Sequence, residues 1–410
     1  MKTPDRALRV TMVNKYYSPP HLGGVETVVR TLSEGLVEDA GARVRALVSN
    51  EGRERVEERI GGVDVVRLPR QLALSSAPVA AGLPGALRDE LRRQGPRGPE
   101  PPDVVNLHSP YPWGELSFLQ ASPDVPSVVL YHSDIVRQKR LLTAYRPFLE
   151  RFLDRVDLIV TSSPNMVRNS PFLAPRAEKC RVVPFGLPAQ HLAATPVALR
   201  RAAELRAAHA GRQIVLFVGR LVYYKGADVL VQAMARVDAD LVLIGRGPLE
   251  AELRKLASAS GIAARVTFLG PQGDDELSAW YHAADVFCLP SVARSEAFGL
   301  VQIEAHAAGT PVVSTDLPTG VPYANPDSVT GFTVPPGDAL ALAAALNRLL
   351  GDDELRARLG RQAQTRALRE FTVPRMVART LAVYAEAVER HAAHADARPR
   401  ARHSAKRGRG

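Results

Sequence analysis

Short apolar runs alternate with segments of helical period along the whole chain, and no other feature narrows the fold as far. This regular exchange is the pattern of parallel sheets covered by helices. The first strand is predicted over Leu8–Val13, followed by the loop Asn14–Gly24 and a helix whose apolar positions Val25, Val28, Val29, Leu32 and Leu36 keep helical spacing. Further strands are predicted at Val44–Val48, Val63–Leu68, Asp103–Leu107, Val128–Tyr131, Leu158–Thr161 and Arg181–Val183, with a Pro/Gly-rich surface loop at Gly95–Pro102. The segment Ala189–Gly211 has no strand character and precedes a fresh strand, Ile214–Val218, so the domain boundary is placed there. The rhythm then resumes with strands at Leu241–Ile244, Val266–Leu269, Val286–Leu289 and Val312–Ser314 and helices at Ala227–Met234, Leu249–Ala257, Asp274–His282 and Leu300–Ala308. The prediction is an α/β fold of two doubly wound, Rossmann-like domains. Ligands of such sheets bind at the carboxyl ends of the strands, and a cleft between two domains is the default active site.

At roughly 150 residues per domain, a chain of 410 residues has room for two such domains. The predicted bounds are 1–190, 191–375, a C-terminal helix at 376–395 packing back on the first domain, and a basic tail at 396–410. Two cysteines, Cys180 and Cys288, exclude a disulfide scaffold and a cysteine zinc site, and suggest buried thiols in a reducing compartment. Asp5, Arg6 and Arg9 fall where the apolar core of a leader peptide would lie, so secretion is not expected. With no apolar run of about 18 residues, no transmembrane helix is expected and the chain is placed in the cytoplasm. The net charge is +10, and half of it lies in the tail, where six basic residues face one acid. Such a block is either a plain solvated tail or a contact for an anionic membrane surface. Nucleic acid is not expected, because aromatic interleaving is missing.

Three loops carry candidate chemistry. Gly23 and Gly24 lie between the first strand and its helix, where paired glycines form either a cradle for an anion or a tight turn with positive φ. The G-x-G-x-x-G spacing of dehydrogenases is absent. In Gly219-Arg220-Leu221-Val222-Tyr223-Tyr224-Lys225-Gly226, a strand ends in two cations, with Lys225 at the start of the next helix. A lysine is unfavourable there unless an anion is bound. A fork and a point charge together suit a diphosphate, and a solvated loop pair is the alternative. In Ser291–Glu304, Glu296 lies in the loop and Glu304 in the helix, so that both carboxylates can face one ligand from different depths. Glu304 can also be a capping or salt-bridged group. Phe298-Gly299-Leu300 offers backbone N–H groups to an anion.

Weaker candidates are His132, at a strand end, and Gly245-Arg246-Gly247-Pro248, which is either a base or ribose contact or a strand-to-helix turn with proline at the first helical position. Asp238-Ala239-Asp240 has an acid-x-acid spacing but precedes its strand, so no metal is assigned to it.

Together, the glycine loop, Gly219-Arg220 with Lys225-Gly226, and Ser295-Glu296-Ala297-Phe298-Gly299-Leu300 through Glu304 resemble the retaining glycosyltransferases of family four, which have the GT-B fold. Pro184-Phe185-Gly186, Gly245 to Pro248, Gly309 to Ser314 and Thr330 to Asp338 match in the same order, so the resemblance covers nearly the whole chain. It implies that Glu304 binds the donor ribose and Glu296 the donor sugar. Arg220 and Lys225 would neutralise the diphosphate leaving group in place of a metal ion, Gly23 and Gly24 would approach the same phosphates across the cleft, and His132 would lie beside the transferred sugar. Gly245, Arg246, Phe298, Gly299 and Leu300 complete the donor site. Neither cofactor nor metal is called for.

Asn14–Tyr17, Arg220–Gly226 and Gly320–Asn325 are similar to bacterial mannosyl- and rhamnosyltransferases of polysaccharide assembly. The first expected donor is GDP-mannose and the second a UDP-sugar, with a glycan or lipid-linked acceptor as the other partner. Two rival classes share the architecture: a nucleotide-sugar epimerase or hydrolase, and a non-catalytic nucleotide-sugar-binding protein.

Overall fold

The computed structural model describes residues 6–20, 23–74, 77–92, 100–122, 124–135, 139–192 and 194–407. The chain divides into two compact units, one of residues 1–162, 170–183 and 373–410, the other of residues 163–169 and 184–372.

In the first unit, β1 (Arg9–Val13), β2 (Arg43–Ser49), β3 (Val56–Ile60), β4 (Val63–Leu68), β7 (Val104–Ser109), β8 (Ser127–Tyr131), β9 (Leu158–Thr161) and β10 (Cys180–Val182) form one sheet in the order β10-β9-β8-β7-β1-β2-β4-β3. All its pairings are parallel except β3 with β4. β5 (Leu72–Leu74) and β6 (Ala77–Val79) make a separate antiparallel hairpin. The helix Gly24–Ala40 follows β1, and the C-terminal helix Val373–Arg407 packs on it. A Cβ on Gly35 would lie 2.6 Å from Val373 Cγ1 and 2.8 Å from Val377 Cγ2, so a glycine is what lets the two helices close. Tyr384 accepts a hydrogen bond from Asn106 of β7 at 2.9 Å.

The second unit holds β11 (Ile214–Val218), β12 (Asp240–Ile244), β13 (Val266–Gly270), β14 (Val286–Leu289), β15 (Val312–Thr315) and β16 (Gly331–Val334) in an all-parallel sheet ordered β13-β12-β11-β14-β15-β16. Its core lies on both faces. Val215 and Phe217 of β11 join one apolar cluster and Ile214, Leu216 and Val218 the other, which is the period of two that a strand imposes.

Four strands escape a search for apolar runs. β3 is VEERI, an edge strand whose residues are almost all exposed, and β5 and β6 are three-residue pieces. β16 begins at Gly331, where a Cβ would meet the Val312 carbonyl oxygen at 1.8 Å, so close pairing with β15 replaces apolar length as its signature. The helix Pro196–Ala208 in the boundary segment carries a Thr195 cap, whose side chain accepts from the Ala198 N–H. Helical backbone continues to Arg407, where the sequence predicts an unstructured tail from 396. Alanine and arginine favour helix in that stretch, but Pro399 inside it has no N–H for the helical ladder and opposes them. The side chains of 396–407 and most of the loop Gly95–Pro102 lie outside the described residues.

Candidate functional site

The strand order of the second unit reverses between β11 and β14, and the crevice beyond such a point is where open parallel sheets bind ligands. The loops leaving these two strands carry the predicted cations and carboxylate. Gly226 has φ +66°, and a Cβ there would stand 2.0 Å from the Pro290 carbonyl oxygen, so a glycine lets the loops touch. The Val292 N–H donates to the Tyr224 carbonyl at 2.8 Å. The result is a buried ion pair: Lys225 Nζ lies 2.6 Å from Glu296 Oε2, with the side chains only 12% and 9% exposed. Ser291 Oγ donates to the same oxygen at 3.0 Å. Burial alone would lower the Lys225 pKa, but the Glu296 carboxylate, helped by Tyr224, outweighs it and the pKa is raised. Lys225 is therefore charged.

Lys225 belongs to the 3₁₀ turn Tyr223–Lys225 ahead of the helix Ala227–Met234, not to the start of that helix. The anion that its position calls for is supplied by the protein's own Glu296. Arg220 is exposed and, unlike Lys225, makes no ion pair with Glu296.

Glu304 lies in the helix Leu300–Ala307 and has its own partners. Tyr281 donates to Oε2 at 2.6 Å, and His191 Nδ1 lies 3.6 Å from Oε1. That carboxylate raises the His191 pKa, chiefly by hydrogen bonding. The three residues line a cavity of about 290 Å³ together with Asp274, Ser278 and Thr195. Glu296 and Glu304 thus share no side-chain partner in this structure. Gly299, at φ +73°, caps the helix, and a Cβ there would lie 2.5 Å from Leu289 Cδ2. Phe298 is buried and packs edge-on against Phe185 and Phe371, at centroid distances of 5.2 and 5.9 Å. Leu300 is the first residue of the helix.

Gly245 and Gly247 answer a packing demand, because Cβ atoms there would lie 2.0 Å from the Gly219 oxygen and 2.2 Å from the Leu221 oxygen. The next helix begins at Glu250, so Pro248 is not at its first position. Arg246 is exposed beside this turn. Asp238 and Asp240 are occupied by Arg212, at 2.7 Å each, and Asp240 also by His209. Among the described residues no group of three or more His, Cys, Asp or Glu is placed to hold a metal ion.

In the first unit the strand order reverses at β1 and β7. Gly23 has φ −139° and ψ 159°, and Gly24 opens the helix, so the tight turn with positive φ is not formed. A Cβ on Gly24 would meet nothing within 4 Å, while one on Gly23 would strike Glu26 Oε2 at 2.3 Å. His21 and Leu22 lie outside the described residues. Glu26 is paired with Lys15 at 3.7 Å. His132 is buried at the end of β8, its N–H donating to the Ser109 carbonyl at 2.8 Å, and its Nε2 lies 2.9 Å from His108 Nδ1. Next to this pair, Glu115 Oε1 accepts from Ser109 Oγ at 2.7 Å and from the Tyr111 N–H at 3.0 Å. Burial pushes the Glu115 carboxyl up to about 7, against the pull of those two bonds.

His108, Glu115, His191 and Tyr281 are absent from the sequence prediction. His108 could have been found, since it stands one residue beyond the apolar run ending at Leu107, at the strand end where ligands bind. Glu115 and Tyr281 lie inside helices and carry no local signal.

The fold is that of GT-B enzymes. Sucrose-phosphate synthase of Thermosynechococcus elongatus matches it with a TM-score of 0.74 and 24% identity, over 92% of this chain and 98% of that one. Anabaena HepE, solved in complex with UDP, matches with a TM-score of 0.74 and 19% identity, over 92% of this chain and all of the other. Family profiles assign residues 22–191 to Glycosyltransferase Family 4 and residues 204–366 to glycosyl transferases group 1. The O-antigen chain mannosyltransferase C of Escherichia coli is 33% identical over 93% of this chain and 99% of its own length. The D-rhamnosyltransferase WbpZ of Pseudomonas aeruginosa is 34% identical over 89% and 92%. The chain belongs to the family-four glycosyltransferases. Among the described residues no helix is long and apolar enough to cross a membrane.

Proposed function

We propose that the protein is a retaining glycosyltransferase that moves a sugar of the D-manno configuration, first mannose from GDP-mannose, to a glycan or lipid-linked acceptor in cell-envelope polysaccharide synthesis. Two relatives matched along nearly their whole length support the donor. One is named for mannose and the other for D-rhamnose, which is mannose without its 6-hydroxyl, so the two sugars differ only at C6.

The observation that carries the mechanism is the Lys225–Glu296 pair at the reversal point of the second sheet. A departing nucleoside diphosphate gains charge as the glycosidic bond breaks, and a preformed, largely dehydrated cation stabilises that charge without having to reorganise. Lys225 faces the diphosphate, and Arg220 adds a mobile charge from the surface. Glu296 keeps Lys225 ionised and takes hydroxyls of the donor sugar. Glu304, oriented by Tyr281 and His191, takes the ribose hydroxyls. Gly23 and Gly24 let the backbone approach the phosphates, and Gly245, Arg246, Gly299 and Leu300 border the nucleotide. The departing phosphate oxygen accepts the proton of the acceptor hydroxyl on the face it leaves, so the product keeps the donor's anomeric configuration. The enzyme works in the cytoplasm, with its basic C-terminus against the anionic inner face of the membrane.

The test is a panel of GDP-mannose, GDP-D-rhamnose, UDP-glucose and UDP-galactose, read by thermal stabilisation and then by transfer to a glycan acceptor. At 100 times its dissociation constant a true donor stabilises by about 2.7 kcal/mol. Stabilisation by a GDP-sugar and a product with the donor's anomeric configuration are expected. Inversion, release of free sugar, or an epimer would overturn the proposal. A UDP-sugar as the preferred ligand would overturn its donor.

A further inference from the structure

His108 and His132 end neighbouring parallel strands, with His108 Nδ1 2.9 Å from His132 Nε2. Their rings lie 5.2 Å apart at 22°, and both residues are buried. Burial pushes the His108 pKa down to about 3. It drives that of His132 well below the usual range too, with His108 and Lys15 adding to the effect. Both rings are neutral at neutral pH. One hydrogen bond between two neutral imidazoles needs one ring as donor and the other as acceptor.

On the His108 side the choice of donor turns on Nε2, which is buried and has no hydrogen-bond partner among the described residues. If His132 donated from Nε2, the proton of His108 would have to sit on that orphan nitrogen. A buried N–H without an acceptor is rarer than an unmatched lone pair, and it costs the desolvation of a donor. If His108 donates from Nδ1, only a bare lone pair is left at Nε2.

We propose that His108 is a positioning residue: it donates from Nδ1 to Nε2 of His132 and locks that ring in the neutral tautomer with its proton on Nδ1. His132 then meets its sugar only as a hydrogen-bond donor from Nδ1, and Nε2 takes no part in moving a proton. This role rests on the placement of His132 beside the transferred sugar, whereas the tautomer itself does not.

Long-range ¹H–¹⁵N NMR of the full, ligand-free chain labelled with ¹⁵N-histidine reads the tautomer directly, with His108→Phe and His132→Phe spectra supplying the assignments. In the wild type both rings are expected to show a protonated Nδ1 and a bare Nε2. In kinetics, His108→Phe keeps ring volume and removes the donor. It should lower kcat about tenfold, as loss of one hydrogen bond of about 1.4 kcal/mol would, with KM within about threefold. His108→Asn, whose amide can donate again, should recover most of that loss. A proton on His132 Nε2, an imidazolium at neutral pH, or His108→Phe with wild-type kcat would overturn the proposal. If no donor on the panel turns over, the mechanism above fails, while the NMR result still decides the tautomer.

Discussion

The reversal points of the two sheets handle charge in opposite ways. In the second unit a lysine and a glutamate are pressed together at 2.6 Å, and the carboxylate raises the lysine pKa against the effect of burial. In the first, His108 and His132 are held neutral by burial, and Glu115 has a pKa raised to about 7. The same topology thus yields an ion-paired cluster in one unit and a neutral, hydrogen-bonded cluster in the other.

Breaking the charged side should have the largest effect on stability. Glu296→Ala leaves the Lys225 ammonium buried without its carboxylate, and removing one partner of such a pair typically costs about 3–5 kcal/mol. Urea denaturation checks this, and a loss below about 1 kcal/mol would show a pair screened by solvent as surface pairs are.

The neutral side predicts a pH dependence. With its folded pKa above the unfolded value of 4.5, Glu115 contributes nothing below pH 4.5, where both states are protonated. Between there and about pH 7 the unfolded chain releases its proton while the folded chain keeps it, so stability falls as pH rises. The full shift is of order 3 kcal/mol. Glu115→Gln removes this dependence, and its melting temperature relative to wild type should rise from pH 5 to pH 8. A pH-independent difference would mean that Glu115 is ionised in the fold.

A smaller effect sharpens the division of labour inside the second unit. Glu304→Ala should weaken binding of free GDP about tenfold, near 1.4 kcal/mol, and Tyr281→Phe, which only loosens the carboxylate, should weaken it less. Isothermal titration calorimetry separates them, with circular dichroism as the folding control. Equal affinity in Glu304→Ala and wild type would remove Glu304 from the ribose. The smallest effect is expected from excess chelator: with Lys225 and Arg220 carrying the phosphate charge, transfer should continue, and loss that only magnesium or manganese restores would contradict that assignment.

The alternation of apolar runs made most of both sheets legible, because strands buried on both faces must be apolar throughout. It could not show β3, whose VEERI pattern is that of an exposed edge, nor the capped helix after Thr195. At the site, the residue types were legible but their partnerships were not. The sequence marked Lys225 as a cation in want of an anion, yet Glu296 is 71 positions away and reaches it only because β11 and β14 are neighbours. Glu304 was visible as a carboxylate among apolar residues, but Tyr281 and His191 come from other helices. The neutral cluster was the least legible, since burial makes His108 and Glu115 unusual and burial is a property of the fold.

The central claim is that Lys225 acts on charge that develops as the donor breaks. The direct measurement compares kcat for mannose transfer with the dissociation constant for GDP in wild type, Lys225→Ala and Lys225→Arg. Turnover of Lys225→Ala should fall by roughly 10²–10³ while GDP affinity falls far less, since the interaction is worth most in the transition state. Lys225→Arg should not rescue, because a planar fork does not replace a point charge in this packed turn. Near wild-type turnover in Lys225→Ala, or a loss of GDP affinity as large as the loss of turnover, would contradict the claim.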